Sequence, residues 1–280
     1  MYADDVQFLH QSKPKALPEL QASVVAAAHS WFDENCLKLN PNKTDLTLIK
    51  SSRRRLSSEF SVDFGDVTIR PSPTVKVLGM VVDGGLTFEK HVSGVVRRCY
   101  ATLGGLSKMT HKLPEAVKKM IVEMLIFPHL SYCSTVWAGC NTTQRHRLQK
   151  VINHCAQVVK GVRRSAHVSP LIADLKWPSL DHLIAERDVS RVHYLLNHPQ
   201  APNGLTVGIV HRTDVSSKEI RASLAGLLQL PRVKSEHARK SFLFRAPAQR
   251  NRAPVEVRGA CSATVCRKRA REWLAQSSRN

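Results

Sequence analysis

The chain has 280 residues, 42% of them hydrophobic, enough for one large or two ordinary cores, with no apolar run long enough to span a membrane. Its 42 Lys and Arg against 22 Asp and Glu give a formal net charge of +20 at pH 7. Such a surplus is foreign to soluble metabolic enzymes and points to a polyanionic partner, nucleic acid before membrane.

The chain opens "MYADDVQFLH". Residues 1–3 and 6–9 read as two short extended stretches with Asp4 and Asp5 at the turn between them, a hairpin signal without the Gly that would strengthen it. Neighbouring residues of a strand face opposite sides, so two adjacent Asp approach one site only at a bend. Carboxylates placed so suit a hard cation such as Mg²⁺; the plainer reading of an Asp pair is a polar turn. Leu20, Val24, Val25, Ala28, Trp31 and Phe32 then fall at helical spacing behind Pro18, which predicts a helix over 17–32. Strands are expected at 6–9, 44–49, 60–64, 67–69 and 75–83, in one sheet against which the helix packs. Residues 51–58, "SSRRRLSS", read as an exposed basic loop and Gly65-Asp66 as a hairpin turn. Strands around one helix make this first stretch α+β.

After Glu89 the periodicity becomes purely helical. Val92, Val95, Val96, Cys99, Leu103 and Leu106 form one apolar stripe, with Lys90, Arg97, Arg98 and Lys108 mostly off it. Pro114 starts a second helix over 115–127, which Pro128 must kink or end. Leu148, Val151, Ile152, Cys155, Val158 and Val159 form a third stripe beside Arg145, Arg147 and Lys150, and residues 180–196 a fourth after Trp177-Pro178. Residues 197–235, rich in Pro, Gly, Ser and His, read as containing linker. Residues 232–280 hold 13 Lys and Arg against 3 Asp and Glu, half of the net charge. The densest run, Arg267, Lys268, Arg269 and Arg271, stands just before Trp273 and Leu274 and predicts a short basic amphipathic helix. No internal repeat is evident.

Other chemistry has little support. The seven cysteines are odd in number, mostly in apolar helical settings, and read as buried free thiols. Cys133, Cys140, His146, His154 and Cys155 cluster in sequence without any C-x₂-C pair, and Cys261 and Cys266 lack a following His, so zinc is not expected. G-x-S-x-G is absent, and Asp63-Phe64-Gly65 stands without the other kinase motifs.

Tyr2-Ala3-Asp4-Asp5 followed by Val6-Gln7-Phe8 resembles the catalytic hairpin of reverse transcriptases of non-LTR (LINE-class) retrotransposons. Two further blocks follow in that family's order and spacing. "WFDENCLKLNPNKTDLTLI", residues 31–49, resembles its next palm motif, with Lys43-Thr44 leading into a strand. "VKVLGMVVDGGLTFEKHV", residues 75–92, resembles the one after, in which a Leu-Gly hairpin and a His open the thumb. Near the C-terminus, Asn251, Pro254, Glu256 and Arg258 also match, but Arg250 stands where many relatives carry Trp, and Ala253 where Leu is usual.

The resemblance implies an α+β fold, a partial polymerase palm with an antiparallel sheet and one helix over 1–90, then an all-α thumb and connection over 91–200, then linker and basic tail over 201–280. It implies that Asp4 and Asp5 are catalytic and bind Mg²⁺, and that Lys43 is a possible general acid for the leaving pyrophosphate. It also implies an RNA template and a DNA primer or target as partners. Arg97, Arg98, Arg145, Arg147, Lys150, Arg267, Lys268, Arg269 and Arg271 are the candidate phosphate contacts. A third essential Asp and the fingers lie upstream in that family, so this chain is expected to be a C-terminal fragment, inactive alone but still binding nucleic acid. Two other readings are a basic nucleic-acid-binding protein that never catalyses and a fragment without a stable fold. No signal peptide is evident at the N-terminus, which suggests a cytoplasmic or nuclear location.

Overall fold

A computed structural model describes residues 6–11, 17–38, 40–50, 60–64, 67–109, 112–215 and 226–277. The Asp4-Asp5 turn, the 51–58 loop and the Gly65-Asp66 turn lie outside these described residues. The chain divides into two compact units between Leu86 and Thr87. Among the described residues the first is mixed α and β and the second helical apart from one isolated bridge, which is compatible with the expected α+β class.

In the first unit, α1 (Leu17–Glu34) follows the expected helix and runs two residues past its end. It buries Ala28 and packs near the hairpin of β1 (Val62–Phe64) and β2 (Val67–Ile69), which are paired antiparallel with Val62 opposite Ile69. A second antiparallel hairpin joins β3 (Thr74–Val77) to β4 (Met80–Asp83). Its two-residue turn holds Leu78 at φ 46° and Gly79 at φ 83°, the positive pair that lets a hairpin twist with its strands. The expected strand over 75–83 is therefore two strands folded back at the Leu-Gly pair.

Two other expectations are corrected. Among the described residues the β structure is two separate two-stranded ladders, not one sheet. Residues 44–49 form no regular strand: Leu46 makes one parallel bridge to Pro71, and Ser72 N–H donates to the Leu46 carbonyl at 2.8 Å. Pro71 has no N–H and cannot extend the ladder. Residues 6–9 are not a strand either, since no described strand lies beside them to take their hydrogen bonds. Phe8 instead packs against α1, its ring edge-on to Trp31 at 6.3 Å and tilted against Phe32 at 6.2 Å.

The second unit begins with α2 (Glu89–Lys108), whose buried face is His91, Val92, Val95, Cys99, Leu103 and Leu106. Glu89 and Lys108 place charges of the favourable sign at its two ends. Pro128 acts as expected: α3 (Glu115–Leu125) stops short of it, and Pro128 occupies the first turn of α4 (Phe127–Ser131). After α5 (Ser134–Trp137), α6 (Thr142–Lys160) starts where Asn141 Oδ1 accepts the Gln144 N–H at 2.9 Å and ends at Gly161 with φ 66°. Its buried stripe, Leu148, Val151, Ile152, Cys155 and Val159, packs against α2. Each such side chain contributes about 1.5–3 kcal/mol through burial.

Past α7 (Val168–Leu175) lies α8 (Leu180–Asn197), capped by Ser179 and buried on several sides. The two longest helices that follow pack on it. Short α9 (Asn203–Thr206) and α10 (Arg212–Val215) lead to α11 (Glu236–Lys240), α12 (Phe242–Arg252), α13 (Val255–Arg258) and α14 (Ala263–Ser277). Val192 and Leu195 of α8 share a core with Ile209, Leu228 and Ala246. Val189 shares another with Ala253, Val257, Ala260, Cys266 and Ala270. The basic C-terminal helices thus pack on α8.

Candidate nucleic-acid interface

The apolar stripe of α2 fixes what its other face must be. With positions 92, 95, 99, 103 and 106 buried, Lys90, Arg97, Arg98 and Lys108 project to solvent. Lys90, Arg97 and Arg98 form no ion pair among the described residues. Arg98 lies back along the helix, with Nη1 3.8 Å from where a Cβ on Gly94 would stand. Its charge reaches inward: burial first, then Arg98, hold the His91 pKa below the usual imidazole range. An uncompensated cationic face on a rigid helix can track a phosphate backbone without reading bases.

On α6 the three candidate cations differ in position. Lys150 is exposed and makes no ion pair among the described residues. Arg147 donates from Nη1 to Ser93 Oγ at 3.0 Å and to Gln144 Oε1 at 2.9 Å, tying α6 to α2. Arg145 donates to the Ala138 carbonyl at 3.0 Å and pairs with Asp181 at the start of α8. The structure therefore gathers Lys90, Arg97, Arg98, Arg147 and Lys150 on the packed pair α2 and α6, while Arg145 is turned to α8.

On α14, Lys268 and Arg269 are exposed, and Arg269 donates from Nη1 to the Glu256 carbonyl at 2.7 Å. Arg267 and Arg271 grip Glu186 of α8, which is only 2% exposed. Arg267 Nε lies 2.6 Å from Oε1, and Arg271 meets Oε2 at 3.0 Å and Oε1 at 3.1 Å. Burial alone would raise the Glu186 pKa, but the hydrogen bonds from Arg271 and Arg267 outweigh it and hold the carboxyl below its ordinary value. Two residues on, Asp188 takes a two-pronged contact from Arg245 of α12, at 2.7 and 3.1 Å. There burial wins, and the Asp188 pKa is raised despite Arg245. The sequence reading missed Glu186, Asp188 and Arg245. The available signal was two carboxylates inside an otherwise apolar helical stripe, since a charge at a core position needs a partner.

The polymerase-type positions are less informative. Asp4 and Asp5 lie outside the described residues. Lys43 ends a short 3₁₀ turn over Pro41–Lys43 and is exposed, its N–H donated to the Asn40 carbonyl at 3.1 Å. Among the described residues no three His, Cys, Asp or Glu come together in a way that could hold a metal ion. Burial pushes the Cys99 thiol up to about 11 and Cys155 to about 12, so neither is a thiolate at neutral pH. No helix among the described residues is long and apolar enough to cross a membrane.

No family model matches the chain, and no solved structure matches it. Three curated proteins do. A probable RNA-directed DNA polymerase from transposon BS of Drosophila melanogaster is 22% identical over 198 residues, covering 68% of this chain and 21% of that protein. A retrovirus-related Pol polyprotein from the type-1 retrotransposable element R1 3 of Nasonia vitripennis is 27% identical over 143 residues, 49% of this chain and 37% of that protein. A probable RNA-directed DNA polymerase from the Drosophila melanogaster X-element is 26% identical over 149 residues, 48% of this chain and 16% of that protein. The chain thus spans well under half the length of each relative. The similarity these three share places the chain beside the RNA-directed DNA polymerases of non-LTR retrotransposons.

Proposed function

We propose that this chain supplies the end of the palm and the thumb of an RNA-directed DNA polymerase of a non-LTR retrotransposon. It holds an RNA template paired with a DNA primer or target through phosphate contacts. The similarity to three such polymerases supports the polymerase assignment. The cationic face of α2, with Lys90, Arg97 and Arg98 exposed and unmatched by carboxylates among the described residues, carries the binding part. Arg147 and Lys150 extend that face, and Lys268 and Arg269 add a second cationic surface on α14. Asp4 and Asp5 are the residues that would hold Mg²⁺ in a complete polymerase, where the metal stabilises charge on the reacting phosphate oxygens. Lys43 would then protonate the departing pyrophosphate.

A polypeptide of these 280 residues by itself should not extend a primer. Asp4 and Asp5 without the third carboxylate strand that the resemblance implies, and without a primer-template, cannot hold two Mg²⁺ ions at catalytic spacing, because that ion gives up its water reluctantly. Primer extension on an RNA template with Mg²⁺ or Mn²⁺ tests this. Incorporation above background that disappears in Asp4→Ala would overturn the inactivity. A non-catalytic binding role is the second reading. It is favoured by the placement of the α2 cations in a helical unit that needs no carboxylate pair to present them.

A further inference from the structure

The loop from α6 to α7 carries two consecutive exposed arginines, Arg163 and Arg164. Gln157, 6% exposed on α6, pins that loop by donating from Nε2 to the Arg164 carbonyl at 2.9 Å and to the Ala166 carbonyl at 3.2 Å. Arg164 then sets two guanidinium nitrogens against the ring of His154, with Nε 3.1 Å from Nε2 and Nη2 3.2 Å from Nδ1. The same ring meets that of Tyr100 on α2, with centroids 5.6 Å apart.

This match is chemically incomplete. A neutral imidazole has one acceptor nitrogen and one donor, so it satisfies one prong of the guanidinium fork and opposes the other. The partner such a fork fits is an oxyanion with two acceptor oxygens. No carboxylate pairs with Arg164 among the described residues. Glu115 of α3 and Asp174 of α7 are taken by Lys160, and Asp181 of α8 by Arg145. On α2 the titratable groups at this point are Tyr100 and Cys99, while its one acidic residue, Glu89, lies in the first turn. On α6 itself Lys150 lies one turn before His154, and Cys155 follows it. Burial first, then Arg164, lower the His154 pKa, so the ring is neutral at pH 7.

The place also ends the cationic strip of α2 and α6. Ser93 meets Arg147 and Tyr100 meets His154, both pairs 54 residues apart, so the two helices run parallel. The two contacts are separated by seven residues on each helix, about 10.5 Å, with Arg97 and Lys150 between them.

We propose that Arg164, with His154 and Tyr100 beside it, seats one phosphodiester group of the nucleic acid, and that His154 takes up a proton from solvent when the seat fills. This rests on the nucleic-acid reading and carries the α2–α6 face onto the loop. The two non-bridging oxygens take the two prongs of the fork that imidazole cannot both satisfy. The anion also offsets the guanidinium charge facing His154, which favours the imidazolium and lets it donate to the phosphate. Binding therefore tightens as pH falls through the range between the free and bound His154 pKa values.

Two measurements on the full chain test this, with an RNA–DNA duplex as the probe. In anisotropy titrations at several salt concentrations, Arg164→Gln should lower the log–log slope by about 0.9 on a B-form scale. Arg163→Gln, the same loss of charge one residue away, should leave the slope nearly unchanged. Histidine Cε1–H NMR identifies the His154 resonance by its loss in His154→Gln. Its pKa should rise by about 1 unit or more when the duplex saturates the protein, and should not rise in Arg164→Gln. An Arg164→Gln slope equal to that of the wild type, equal falls for the two arginine variants, or a His154 pKa unmoved by the duplex would overturn this site and leave the nucleic-acid reading standing. No binding by the wild type at low salt would overturn both.

Discussion

Glu186 and Asp188 sit two residues apart on α8, and acid acts on them in opposite senses. The Glu186 pKa is lowered in the fold, so its contribution is complete above the unfolded Glu value of about 4.3 and is lost as pH falls through the lower folded value. The Asp188 pKa is raised, so the folded chain takes up that proton first and gains relative stability as pH falls through the folded value. Glu186→Gln should cost about 2–3 kcal/mol at pH 7, below the range for a fully buried pair because Arg267 and Arg271 keep 40% and 61% of their exposure and can rehydrate. It should also flatten the acid loss of stability, whereas Asp188→Asn should steepen it. Urea unfolding at pH 7 and at a pH below 4 measures both effects. None of this pairing was legible in the sequence. Arg267 and Arg271 follow Glu186 by 81 and 85 residues, and no local pattern links groups so far apart.

At the scale of elements, side-chain periodicity carried the reading wherever one face is buried against one neighbour. The stripes of α2 and α6 were legible because their buried positions repeat at three and four residues along each helix. The break at Pro128 was legible because ring sterics act locally. Strands fared worse. Residues 6–9 and 44–49 alternate as strands do, but a strand needs a partner, and Pro71 stops the one bridge residues 44–49 make. The C-terminal basic helix was read as a helix, while its burial against α8 was not, because its packing residues Cys266 and Ala270 are small. Ala270 is fully buried between α14 and its neighbours, so Ala270→Leu should overpack the site and cost about 1–3 kcal/mol, seen as a lower Tm. In the β3–β4 turn, Leu78 holds a left-handed φ that its side chain disfavours. Leu78→Gly should therefore stabilise the first unit by about 0.5–1 kcal/mol in denaturant unfolding.

For the molecule as a whole, the two units differ in how much structure protects them. The first has two ladders of three- and four-residue strands and leaves Phe8, Leu9, Leu37 and Ile49 exposed. The second buries long helices on α8 and between α2 and α6. Amide hydrogen exchange should accordingly be faster through residues 60–83 than through α2, α6 and α8, and equal protection would count against this division. Net charge was the sequence feature that spoke most directly to a polyanionic partner. The concentration of half the surplus in residues 232–280 was legible too, but which of those cations are paired was not: Glu186 and Asp188 take up Arg245, Arg267 and Arg271. Removing that segment would uncover the faces of α8 that α12 and α14 bury, so point substitutions are the sounder probe. The most direct measurement is a fluorescence-anisotropy titration of an RNA–DNA duplex at several salt concentrations. It compares the wild type with Lys90→Gln, Arg97→Gln and Arg98→Gln combined. Binding should show little sequence preference and weaken steeply with salt. The log–log slope should fall by about 0.9 for each phosphate no longer neutralised, or roughly 2.7 for the triple variant on a B-form reference duplex. Equal slopes for the two proteins, or no binding by the wild type at low salt, would contradict the assignment of α2 as the phosphate-binding face.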